Sequence, residues 1–106
     1  MTVRQREHPE ARAELRAAAR WYESRERGVG QRFLDQTRQA RRSVVVSPGS
    51  WRRHPDWERD DVVVRVRSVA KYPYDIVYFA TGEEIVILAY AHESREPGYW
   101  KHRVDS

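Results

Sequence analysis

Tyr72 to Trp100 read YPYDIVYFATGEEIVILAYAHESREPGYW, and this stretch decides the architecture. Tyr74–Ala80 and Ile85–Ala91 are rich in β-branched and aromatic residues, and Thr81-Gly82-Glu83 between them has the length and composition of a hairpin connection. After the second apolar run the chemistry changes abruptly to His92, Glu93, Ser94, Arg95 and Glu96, then Pro97-Gly98-Tyr99-Trp100. Titratable and aromatic groups thus gather at the mouth of a strand predicted to be central.

Working outward, Val62–Val69 alternates. Val62, Val64 and Val66 point one way, and Val63, Arg65, Arg67 and Val69 the other. Three consecutive strands with short connections make an antiparallel meander. Upstream, Ser50–Asp61 (SWRRHPDWERDD) reads as a polar linker. Its Trp51 and Trp57 either cover the edge of the core or, with Arg52, Arg53 and His54, form an aromatic-basic patch able to stack on bases.

Two helices precede the linker. His8-Pro9-Glu10 opens the first, with proline at the first helical position. Its apolar stripe is Ala11, Leu15, Ala18, Ala19 and Tyr22, and Arg12, Arg16 and Arg20 run down another face. Ser24–Gly30 is expected to break the pattern. A second helix is expected from near Gln31, with Phe33, Leu34, Thr37, Ala40, Val44 and Val45 inward, and Ser47-Pro48-Gly49 stops it. Val3–Arg6 is expected to add a short edge strand. The order is β-α-α-β-β-β, the class is α+β, and residues 1–106 form a single domain with the helical hairpin packed on a mainly antiparallel sheet.

Composition narrows the function. The chain has 106 residues and no cysteine, which excludes disulfides and thiolate metal sites. It lacks an apolar run of about 20 residues and a signal-peptide core, which together point to a cytoplasmic protein. Net charge is +4, and eighteen arginines face two lysines. An arginine-rich surface suits nucleic acid or an acidic protein partner, although coding bias gives the same composition. No glycine-rich phosphate loop, HExxH or GxSxG occurs, and His8, His54, His92 and His102 are scattered, so neither a metal nor another cofactor is expected.

What remains is Arg65 or Arg67 on the first meander strand, with His92, Glu93, Arg95 and Tyr99 after the third. Metal-free RNA cleavage needs a base, an acid and cations for the charged phosphorane. His92 has a suitable pKa, arginines supply positive charge, and Tyr99 can stack on a base or donate a proton. The same residues also make an ordinary turn in which an Arg–Glu pair and Tyr99-Trp100 pack on the core.

HPEARAELRAAARWYESRERGVGQRFL at 8–34, YPYDIVYF at 72–79 and EIVILAYAHESREPGYW at 84–100 together resemble the RelE/ParE superfamily of toxins from type II toxin–antitoxin (plasmid stabilisation) modules. The resemblance implies the same element order and a small cognate antitoxin as partner. It implies one of two activities: ribosome-dependent, metal-independent mRNA cleavage by RelE-like members, or poisoning of DNA gyrase by ParE-like members. RelE-like nucleases carry an arginine in the middle meander strand, where this chain has Asp75, and another six residues before the C-terminal tyrosine. Tyr99 matches that tyrosine, but Glu93 stands at the second arginine position. Carboxylates there repel an RNA substrate, which tilts the expectation toward ParE-like action on gyrase. If the chain is instead a nuclease, the resemblance and the chemistry point to His92, Arg95, Tyr99 and Arg67 as catalytic. A third possibility is a degenerate member that binds its antitoxin without being toxic.

Overall fold

The computed structural model describes residues 3–106. Its elements run β1 (Arg4–Glu7), α1 (Pro9–Arg25), α2 (Val29–Val46), β2 (Val64–Ser68), β3 (Tyr74–Ala80), β4 (Glu84–His92) and a closing 3-10 turn, Lys101–Arg103. This is the expected α+β order. The sheet order is β1-β4-β3-β2: the meander pairs antiparallel, and β1 joins parallel to β4.

Each helix follows from its local sequence. The His8 ring accepts the Glu10 N–H and caps α1, and Pro9 sits where no intrahelical N–H is needed. Ala11 and Ala18 are buried, with Leu15 and Tyr22 packed beside them, while Arg12, Arg16 and Arg20 are exposed. The expected break at Ser24–Gly30 is much shorter, because α1 continues to Arg25 and α2 starts at Val29. Gly28 supplies the positive φ of 90° at the joint. Gly30 lies inside α2, where an added Cβ would come within 2.6 Å of the Ala19 carbonyl oxygen. The glycines therefore mark a tight turn and a close helix approach rather than a long loop.

The sheet is covered on both faces. Under the helices lie Ile76, Tyr78, Ile85, Ile87 and Tyr90 with Ala11, Ala40 and Val44. On the far face Val64, Val77, Val86, Leu88 and Ala89 pack around Trp100, with Trp57, Val62 and Val104 at the margin. A strand buried on both sides reads as a continuous apolar run, which is why Ile85–Tyr90 shows no alternation.

The segment 50–61 is tied down rather than free. Arg53 bridges Arg65 at the β2 edge, and the Val66 N–H donates to the Arg52 carbonyl at 2.9 Å. Trp51 packs against the helix-side core and Trp57 against the far-side core, so the covering role proposed for the tryptophans is the one observed. Among the described residues no helix is long and apolar enough to cross a membrane.

Candidate functional site

The site is set by an irregularity in β4. Tyr78 pairs with Ile87 but Val77 pairs with Ala89, so Leu88 is an extra residue in the ladder. Such a bulge shifts the alternation by one position. Leu88 and Ala89 consequently both join the far-face core, and Tyr90 turns toward the helices. His92, two residues on, follows Tyr90 and meets Tyr74 edge-on, with ring centroids 5.0 Å apart. Its Nδ1 accepts the Ser94 backbone N–H at 3.0 Å and lies 2.8 Å from Ser94 Oγ. A neutral His92 ring then carries its proton on Nε2.

Glu14, one turn into α1, gathers the groups that follow β4. Its Oε1 accepts the Tyr90 backbone N–H at 3.1 Å and Arg103 Nη1 at 3.1 Å. Its Oε2 accepts the Tyr99 hydroxyl at 2.8 Å and Arg103 Nη2 at 3.1 Å. Arg95 lies over the Tyr99 ring, 3.8 Å from its centroid, with Nη1 4.0 Å from Glu14. Burial pushes the Tyr99 hydroxyl pKa above its usual value, and the hydrogen bond to the Glu14 carboxylate pushes it further. At neutral pH that phenol is neutral with its proton committed to Glu14, which is poor preparation for donating to a leaving oxygen.

His92 and Arg95 border two hollows. The first, about 340 Å³, is a groove along α1 with Ala17, Ala18, Trp21, Tyr22 and Tyr74 as its apolar wall. Trp21 is 53% exposed there, one of two exposed large apolar side chains among the described residues. The second, about 150 Å³, lies on the far face and is bordered by Asp75, Glu93, Glu96 and His54. Asp75 accepts the Ser68 hydroxyl at 2.8 Å, and Glu93 and Glu96 are exposed. Asp56 also lines it, so a phosphodiester in this hollow would meet four carboxylates against the single Arg95 guanidinium, a balance that raises rather than lowers the energy of added negative charge.

Of the four sequence candidates, His92, Arg95 and Tyr99 come together. Arg67 does not. It sits on β2, stacked 4.1 Å from the Trp51 ring centroid, with Nε donating to Ser43 Oγ at 2.9 Å. The strand alternation that put Arg67 on the polar face is correct, but that face is the one α2 and Trp51 cover. Glu14, Arg103 and Trp21 have equal claims on the site and are not among the candidates, and His54, read in the sequence as part of an aromatic-basic patch, lines the far-face hollow. Glu14 borders the apolar stripe of α1, and that position is the one signal in the sequence that it turns inward. Among the described residues no group of three His, Cys, Asp or Glu side chains is arranged to hold a metal.

His54 stacks edge-on against Trp100 at 4.8 Å, and its Nδ1 accepts the Asp56 N–H at 3.1 Å. Burial lowers its pKa below the ordinary 6.5, with Asp56 opposing in part. The unfolded chain therefore binds this proton more readily than the folded one. Stability is full above about pH 6.5 and falls as pH drops through the unfolded value toward the folded one. Urea midpoints at pH 7.5 and pH 5.5 should differ more for the native protein than for His54→Asn. Equal differences would remove His54 as the cause.

The chain matches no protein-family model and no curated protein.

Proposed function

We propose that this chain is the toxin of a type II toxin–antitoxin module, acting by binding DNA gyrase in the ParE-like manner and neutralised by a small cognate antitoxin. The β-α-α-β-β-β order with a helical hairpin over the sheet agrees with the superfamily that the sequence resembles. The observation that carries the choice of target is the state of Tyr99. Its hydroxyl is bound to Glu14, and Asp75, Glu93 and Glu96 border the adjoining hollow. That arrangement disfavours phosphoryl chemistry and leaves recognition as the working role. The groove beside Trp21, with its apolar wall and Arg95 at the rim, offers an aromatic anchor of the kind that dominates protein interfaces.

Purified protein is expected to inhibit gyrase supercoiling, with Trp21→Ala weakening the effect about tenfold or more if the groove is the contact. Supercoiling that proceeds normally with the protein in excess argues against gyrase as target. A second reading, an RNA-cleaving toxin, draws on the shared placement of His92 and Arg95 at one groove. Transcripts that stay intact during growth arrest remove it, and transcripts cleaved in a His92-dependent way favour it over the first. The absence of any growth defect on expression points to an antitoxin-binding member without toxicity.

A further inference from the structure

We propose that the outer ridge of the helical hairpin is a phosphate-backbone surface for duplex DNA, with Arg16, Arg20 and Arg42 as its principal contacts. This inference stands apart from the gyrase reading, because it concerns a different face and a different partner.

Charge is unevenly divided along the chain. Residues 1–49 hold eleven arginines against six carboxylates, whereas the remainder holds nine basic residues against ten acids. The excess is concentrated on the hairpin. Arg12, Arg16 and Arg20 occur at steps of four along α1 and are exposed. They lie on the flank toward α2: Arg12 and Arg41 share Glu7, and Arg20 borders a hollow with Gln31 and Leu34. Arg38 and Arg42, one turn apart on α2, are also exposed.

The nearby acids do not cancel this row. Glu23 turns into the helix joint and accepts the Gly28 and Gly30 N–H groups at 2.9 and 3.0 Å. Asp35 is held by Gln31 and Arg38, and Glu14 is committed to Arg103. Arg16, Arg20 and Arg42 have no ion-pair partner among the described residues. Three guanidinium groups left free on one rigid hairpin suit an extended polyanion.

The dimensions suit a DNA strand. Arg16 and Arg20 lie about 6 Å apart along α1 at 1.5 Å per residue, a length over which one strand of B-DNA places about two phosphates. Arginine forks bind phosphate bidentately and need no apolar surface to do so. An acidic protein would ordinarily bring an apolar centre to its interface. Among the described residues the exposed large apolar side chains are Trp21, which belongs to the groove, and Val46 at the end of α2. Single strands are held by stacking on aromatic rings, which the ridge lacks.

The test uses the full chain and a fluorescently labelled 20-base-pair duplex of arbitrary sequence, read by anisotropy at roughly 50 and 200 mM salt. The ridge triple R16Q/R20Q/R42Q is compared with R52Q/R53Q/K71Q, which removes the same charge from the sheet half. Circular dichroism checks that both remain folded. The ridge triple should weaken binding about tenfold or more at low salt and flatten the dependence of log K on log salt by about 2 to 3. The sheet triple should change affinity less than about twofold. Equal weakening by both triples overturns the proposal, since binding would then follow net charge. So does a native protein that fails to bind the duplex at low salt, tighter binding of single-stranded DNA or duplex RNA, or displacement of the duplex by polyglutamate as effective as by unlabelled DNA.

Discussion

Replacing Glu14 by glutamine is expected to lower folding stability by about 3–5 kcal/mol, the range found when one partner of a buried ion pair is removed. Arg103 is 6% exposed and its two terminal nitrogens both reach the Glu14 carboxylate. A glutamine keeps the shape but turns an amide NH2 toward guanidinium N–H groups, so donors face donors. Glu10 lies 3.2 Å from Arg103 Nε but is more than half exposed, and it replaces the lost charge only in part. The variant should lose on the order of 15–25 °C in Tm. Tyr99→Phe, which removes one hydrogen bond to the same carboxylate and leaves Arg103 paired, should cost only about 1–2 kcal/mol. Equal losses for the two substitutions would show that the carboxylate's charge is not what anchors the C-terminal turn.

The second large effect is expected at Trp100. Its side chain is 1% exposed and forms the centre of the far-face core, with the Trp57 ring 5.8 Å away and the His54 ring 4.8 Å away. Trp100→Ala should cost about 3–5 kcal/mol through lost burial and the cavity left behind. It should also change a second observable. His54 owes its lowered pKa first to burial, and losing the neighbouring indole opens it to water. The extra destabilisation between pH 7.5 and pH 5.5 should therefore shrink in this variant. A large stability loss with that pH dependence intact would mean that His54 is buried by other groups than Trp100.

Much of this architecture is legible in the sequence, for identifiable reasons. The apolar stripe of α1, the alternation of β2 and the Thr81–Glu83 turn are local patterns, and the elements they mark form where those patterns place them. β3 begins and ends at Tyr74 and Ala80 as expected. The errors arise where a distant partner decides. Gly30 looks like a helix breaker until Ala19 is placed against it. The Leu88 bulge leaves no mark in a strand whose two faces are both apolar, so the side on which His92 emerges cannot be read from spacing. The same holds for the site. Tyr99 and Arg95 read as chemistry because the sequence does not reveal that a helix glutamate seventy-six or more positions earlier holds the segment around them. Arg67 reads as a free cation because Trp51, the ring it stacks on, belongs to a segment that reads as a linker.

The parallel pairing of β1 with β4 has a further consequence, for how the chain is made. Arg4 sits opposite Glu84, so the first strand and the helices behind it wait for a partner 80 positions further along the chain (84 − 4). Closing so long a loop raises contact order and slows folding relative to a local hairpin. Until β4 is made, the helical hairpin therefore lacks the central strand of its sheet. Whatever this domain binds through its finished surface, it is ready to bind only once β4 has been made.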